Sequence, residues 1–242
     1  AACLGAGPAL ELPPAEAHAV ELRYADAVRP LLALRPRRRQ QSGALLVLLH
    51  GLHQSGPMLE RLARELSWAL PGAALLMPTA PTLEAAGLGP AWFAFGGPEE
   101  AAAQLEAARA EVMALVRRQQ RECGAPPART VLAGFSMGAT LAAWAALQEP
   151  EALGGLVLLS AMDVPEELRD ALPVGEGAAR LPVLQCHGSC DPLTPASEAR
   201  VMYDWLHGLD CSVQLFLHDG VGHTLSPSML AEMQLWLSDR LT

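Results

Sequence analysis

The chain of 242 residues carries a formal net charge of −9, with 51% hydrophobic residues and only 18% charged ones. That length and apolar content suffice for one sizeable core and exclude a disordered chain, while the acidic balance argues against nucleic acid or an anionic membrane as the main partner. No apolar stretch approaches the about 20 residues needed to cross a bilayer, so no transmembrane segment is expected.

Residues 1–17 lack the basic and apolar regions of a secretion signal and read as a flexible N-terminal segment, leaving a single domain over 18–242. "AHAVELRY" (17–24) and "LLALRP" (31–36) read as antiparallel edge strands, followed by the basic run "RPRRRQQS" (35–42) as a solvated turn. Short apolar runs then recur at 44–50, 73–78, 130–135, 155–160, 182–187 and 212–218. Most are continuous rather than alternating, as in strands covered on both faces of a parallel sheet. Helical spacing fills the intervals: 57–70 with Met58, Leu62, Leu66 and Ala69 on one side, 98–123 with Leu105, Val112, Leu115 and Val116, then 139–149, 195–207 and 227–240. Pro195 and Pro227 open the last two near their first turns. Alternating strand and helix predicts an α/β fold with helices on both faces of a mostly parallel sheet. Five cysteines, an odd number at irregular spacings, suit free thiols in a reducing, cytoplasmic compartment.

Gly134-Phe135-Ser136-Met137-Gly138 matches G-x-S-x-G, in which a strand turns sharply into a helix and exposes a serine hydroxyl at the carboxyl end of the sheet. The apolar run before it and "ATLAAWAAL" after it supply that strand and helix. A serine hydroxyl needs a base to take its proton, and the base needs a carboxylate to fix its tautomer. Among seven histidines, His223 lies in a glycine-bounded loop between the last apolar strand and the final helix, where such a base belongs, with His53 in reserve. His50 and His187 end strands as His-Gly and are expected to shape loops. Asp191, after the penultimate strand on a loop stiffened by Pro192 and Pro195, is the favoured acid, and Asp163 and Asp219 are its competitors. Oxyanion donors are expected from the backbone N–H groups of Met137, which follows the nucleophile, and of Leu52 in "LLHGLHQSG" (48–56).

Together, "HGLHQSG", "PTAP", "WF", "GFSMG", "HGSCDPLTP" and "GVGHTLSP" resemble the acyl-protein thioesterase and lysophospholipase group, the phospholipase/carboxylesterase family of α/β-hydrolases, over most of residues 44–240. The resemblance implies an α/β-hydrolase fold without a large lid domain and a serine hydrolase acting on acyl esters or thioesters, on a lipidated protein or a lysolipid. It implies Ser136, Asp191 and His223 as the triad, Leu52 and Met137 as oxyanion donors, and no metal or organic cofactor. Met137 stands where the family commonly has Gln, and Ala94 where Asp commonly follows the Trp-Phe pair.

The long apolar segment 79–97 reads as a binding loop. Leu83, Leu88, Trp92 and Phe93 are its candidate acyl-chain contacts, although Trp92 and Phe93 fit equally as pins holding the loop to the core. Only about 20 residues separate Ser160 from Leu181, which leaves no room for a large lid and favours single-chain substrates. Cys186 and Cys190 lack the second matching pair of a zinc site, so no metal is expected there. Two rival readings remain: a broad carboxylesterase of short esters, and a non-catalytic hydrolase-fold protein that holds an acyl chain.

Overall fold

The computed structural model describes residues 17–24, 27–36, 43–83, 89–94 and 97–242. The expectation for residues 1–16, most of the basic run (37–42) and the candidate contact Leu88 fall outside the described residues. Among those described, eight strands form one sheet in the order β1-β2-β4-β3-β5-β6-β7-β8. The strands are β1 (Ala17–Tyr24), β2 (Ala27–Leu34), β3 (Ala44–Leu49), β4 (Ala73–Pro78), β5 (Thr130–Phe135), β6 (Gly155–Leu159), β7 (Pro182–Gly188) and β8 (Ser212–His218). β1 and β2 are antiparallel, Ala17 opposite Leu34 and Tyr24 opposite Ala27, and β2 is antiparallel to β4; every other pairing is parallel. The continuous, mainly apolar runs of β3, β4, β5 and β6 are buried at every position, as expected for strands with helices on both sides.

Alternation along β3 divides two cores. Leu45, Val47 and Leu49 join the core beneath α2 (Pro98–Cys123), α3 (Met137–Ala146) and α5 (Ala196–Gly208), while Leu46 and Leu48 join the one beneath α1 (Glu60–Ala69) and α6 (Pro227–Leu241). Each such fully buried leucine contributes about 2 kcal/mol relative to exposure. All ten residues of α3 are buried, so the helix behind the serine sits in the middle of the molecule. Among the described residues, no helix is long and apolar enough to cross a membrane.

Two expectations shift. The second edge strand runs over Ala27–Leu34, not 31–36, and accommodates Pro30 because that residue falls outside the β2–β4 ladder (Leu31–Leu34) and is asked for no hydrogen bond on that side. The helix expected over 57–70 opens as a 3₁₀ turn, Gly56–Leu59, before α1. The tighter turn rotates Met58 off the apolar face, leaving it 66% exposed, and Ser67 is buried in α1 instead. The interval between β6 and β7 holds only a short helix, α4 (Glu166–Ala171), in keeping with the expected absence of a large lid domain.

Candidate active site

The site lies at the carboxyl end of the sheet, where β3, β5, β7 and β8 release their loops. Ser136 follows β5 directly and has φ 53° and ψ −123°, a left-handed value that costs a non-glycine residue about 1–3 kcal/mol. The turn is held on both sides: the Ser136 amide donates to the Leu159 carbonyl of β6 at 2.9 Å, and the Ser136 carbonyl accepts from the amides of Ala139 and Thr140 in α3. The flanking glycines are required by close approach, not by positive φ. A Cβ on Gly134 would stand 2.3 Å from the Gly138 carbonyl, and one on Gly138 would stand 2.4 and 2.5 Å from the carbonyl oxygens of Leu49 and His50.

His223, on the loop between β8 and α6, reaches both partners: its Nε2 is 2.9 Å from Ser136 Oγ and its Nδ1 is 2.7 Å from Asp191 Oδ2. A carboxylate only accepts, so Nδ1 carries the proton and Nε2 is left to accept from the serine hydroxyl. Its ring packs against Phe135 at 5.0 Å. The Asp191 side chain is fully buried and that of His223 is 13% exposed, so solvent reaches only the edge of the imidazole. Burial pushes the Asp191 carboxyl up, but hydrogen bonds from the Thr194 amide, His223, the Leu193 amide and the Thr194 hydroxyl outweigh it and hold the group below the usual carboxylate value. The competing acids are engaged elsewhere. Asp163 accepts from Arg169 at 2.6 Å, and Asp219 accepts from the Ser189 hydroxyl. His53, the reserve base, is exposed on the loop after β3, its amide donating to the Pro90 carbonyl.

The amides of Leu52 and Met137 donate to no other described residue, and Met137 opens α3, where helix N–H groups lack internal partners. The Leu52 loop is fixed from beneath by His50. This fully buried imidazole donates from Nδ1 to the Gly51 carbonyl at 2.7 Å, accepts at Nε2 from the Ala80 amide at 2.9 Å, and has its own carbonyl bound by Trp92 Nε1 at 2.8 Å. Desolvation, partly offset by the Gly51 carbonyl, lowers its pKa to about 4 and keeps it neutral. The Gln54 side chain closes the loop on the Gly51 amide.

Trp92 and Phe93 are only 3% and 6% exposed and sit within the core under α2 and α3. That burial, with the Trp92 indole N–H on the His50 carbonyl, fits their reading as pins that hold the loop to the core. Leu83 packs partly buried against the same core. Where the family commonly has Asp, the Ala94 amide is instead bound by the Gln104 side chain of α2. Cys186 is buried among the apolar residues beneath α6, its thiol pushed up to about 12 by desolvation and then by Glu232, whereas Cys190 is exposed, so the two thiols do not converge. Among the described residues, no three His, Cys, Asp or Glu side chains are grouped to hold a metal.

Thr194 is the polar residue of the site that went unassigned in the sequence, and His187, expected to shape a loop, lies beside it. Thr194 binds Asp191 through its amide and its hydroxyl, both at 2.9 Å, and the wholly buried His187 lies 2.7 Å from the Thr194 carbonyl through Nε2. A hydroxyl three residues beyond the acid in "DPLTP" was the available signal.

Comparison with known proteins agrees with this fold. Acyl-protein thioesterase 1 of Gibberella zeae is 30% identical over 125 residues, and the match spans about half of each protein, 51% of this chain and 53% of the relative. A probable inactive carboxylesterase of Oryza sativa subsp. japonica is 30% identical over 226 residues, covering 87% of this chain and 88% of its own. The crystal structure of acyl-protein thioesterase 2 from Zea mays superposes with a TM-score of 0.71 at 26% identity, covering 88% of this chain and 99% of that one. The phospholipase/carboxylesterase family model matches residues 36–240, and the chain belongs to that family.

Proposed function

We propose that the protein is a serine hydrolase that cleaves acyl esters or thioesters through an acyl-enzyme intermediate. The observation that carries this reading is the single imidazole of His223 bridging Ser136 and Asp191 at 2.9 and 2.7 Å. One of the named relatives is a probable inactive carboxylesterase, so family membership alone does not supply activity and the side chains must.

In the first half-reaction Ser136 Oγ attacks the acyl carbonyl as His223 Nε2 takes its proton, and Asp191 stabilises the imidazolium. The oxyanion that forms is held by the amides of Leu52 and Met137, each worth about 3–4 kcal/mol to the transition state. His223 then protonates the departing alcohol or thiol, and water, deprotonated by the same imidazole, releases the acid. Neither a metal nor an organic cofactor enters this scheme. The relatives named acyl-protein thioesterase favour a single acyl chain on a protein thiol, with the oxygen ester of a lysolipid as the alternative single-chain substrate. The free Cys123, Cys186, Cys190 and Cys211 suit a reducing, cytoplasmic setting.

A second reading, a short-chain carboxylesterase, is favoured by one observation: the burial of Trp92 and Phe93 takes two apolar side chains away from an acyl-binding wall. Rates on p-nitrophenyl esters and acyl thioesters of two to sixteen carbons separate the two, a maximum at two to four carbons selecting the short-chain enzyme. A fluorophosphonate probe tests the chemistry itself. Wild-type protein is labelled at Ser136 and Ser136→Ala is not; a folded wild-type protein that resists the probe is a binding protein and ends the hydrolase reading.

A further inference from the structure

We infer that Thr194 is a positioning residue for the catalytic base: its hydroxyl holds the Asp191 carboxylate oxygen that faces His223. Its effect on rate rests on the hydrolase reading above; its effect on the His223–Asp191 contact does not.

The hydroxyl has one proton to give and three neighbours within reach: Asp191 Oδ2 at 2.9 Å, His223 Nδ1 at 3.2 Å and His187 Nε2 at 3.4 Å. Elementary donor counting fixes its direction. The Thr194 carbonyl only accepts, so His187 Nε2, 2.7 Å away, carries a proton. His223 Nδ1 carries one toward the carboxylate. Neither nitrogen can then accept from the hydroxyl, and its proton goes to Asp191 Oδ2.

The two oxygens of Asp191 are thus held differently. Oδ1 takes the amides of Leu193 and Thr194, both at 2.9 Å, from its own loop. Oδ2 takes His223 and the Thr194 hydroxyl. Apart from the base itself, the hydroxyl is the hydrogen-bond donor to that oxygen among the described residues. Without it the carboxylate is anchored at Oδ1 and free to pivot, and Oδ2 no longer stays in line with Nδ1. The wholly buried His187 holds the carbonyl of the same residue and keeps the hydroxyl in place.

The test uses four full-length proteins: wild type, Thr194→Val, which keeps the branched shape, Thr194→Ala, which removes the proton without crowding, and Thr194→Ser, which restores it. Two readouts are taken from each. The first is the downfield proton resonance of His223 Nδ1–H, which needs no turnover. The second is kcat and KM on a p-nitrophenyl ester. Val and Ala are expected to move the resonance upfield or lose it to exchange and to lower kcat by about 3–10-fold with KM unchanged, the size of one lost hydrogen bond. Ser is expected to restore both. An unchanged resonance in Val and Ala overturns the inference, as does a Ser variant that behaves like Val. A resonance that responds in a protein without hydrolytic activity supports the role of Thr194 and refutes the hydrolase reading. Full activity and an unmoved resonance in Val and Ala refute Thr194 alone.

Discussion

Replacing Asp191 by Asn tests the site with almost no change in shape. An amide can normally flip to suit its neighbours, but here its orientation is dictated. The oxygen must stay where Oδ1 accepts the Leu193 and Thr194 amides, both at 2.9 Å, so the NH₂ group must occupy the position of Oδ2, 2.7 Å from His223 Nδ1. The Thr194 hydroxyl can turn to accept one of the new protons. His223 can relieve the opposed N–H groups only by moving its own proton to Nε2, and then it cannot accept from Ser136. The charge-assisted bond lost is worth about 1.5–3 kcal/mol, and a buried donor left facing a donor costs about 1–3 more. The two together correspond to roughly 10²–10⁴ in rate. The forced tautomer puts the expected loss in kcat at the upper end, about 10⁴-fold. The assay is steady-state hydrolysis of a p-nitrophenyl ester by Asp191→Asn beside Asp163→Asn, with folding checked by circular dichroism. Asp163→Asn loses only the partly exposed contact with Arg169 and should stay within about threefold of wild type. A tenfold or smaller loss in Asp191→Asn, or a severe one in Asp163→Asn, refutes the assignment of the acid.

His223→Ala should lower kcat by about 10⁵–10⁶-fold and abolish probe labelling of Ser136 while leaving the fold intact, because nucleophile and base act as one unit; substantial labelling would point to another base. Gly138→Ala would place a Cβ 2.4 Å from the Leu49 carbonyl oxygen, so α3 must retreat from β3 and carry Ser136 with it. Such overpacking costs about 1–3 kcal/mol, and a displacement near 1 Å costs about 10²-fold in kcat. A calorimetric Tm and a kcat both equal to wild type would contradict that close packing. His50, held near pKa 4 when folded against 6.5 ordinarily, stays neutral while the unfolded chain takes up a proton, so its contribution is complete above pH 6.5 and is lost as pH falls toward 4. The loss amounts to roughly 3 kcal/mol. Burial also lowers His218, with Glu232 opposing, so the slope is assigned by comparing urea midpoints of wild type and His50→Asn across this range. The variant should be the flatter of the two. Asp191, lowered from 3.8, adds its own loss only at more acid pH.

What the sequence shows most clearly is whatever burial makes periodic. β4, β5 and α2 begin and end where their apolar patterns do, because those strands are covered on both faces and α2 turns Leu105, Val112 and Leu115 to the core. The serine turn is equally legible, since Gly134 and Gly138 are demanded by backbone contacts that no other residue fits. Where an element is short or its chemistry depends on one missing bond, the pattern fails. α4 buries only Leu168, and Pro30 is tolerated in β2 solely because it lies beyond the ladder to β4. Thr194 is invisible for another reason. Its role rests on hydrogen bonds across a folded loop, which leave no period in the chain. Trp92 shows the converse limit: an aromatic residue on a loop reads alike whether it faces a ligand or the His50 carbonyl, and only the fold decides.

Strain in this molecule is distributed with a pattern that bears on function. Among the described residues, five non-glycine residues have positive φ: His53, Ser136, Ser160, Arg180 and Asp210. Arg180 and Asp210 are joined, the Arg180 amide donating to the Asp210 carbonyl, at the turns that lead into β7 and β8. The other three lie at the opposite end, just past β3, β5 and β6, which are neighbours in the sheet. Ser136 hangs from the Leu159 carbonyl, and Ser160, next in the chain, is anchored by its amide to the Cys186 carbonyl of β7. The buried Asp191 carboxylate stands at the same edge, on the loop that β7 releases. Left-handed backbone lowers stability where it occurs. Three such residues at the sheet end that carries Ser136 are expected of a fold selected for a pre-positioned nucleophile. A protein that only held an acyl chain there would be more stable with the turn relaxed.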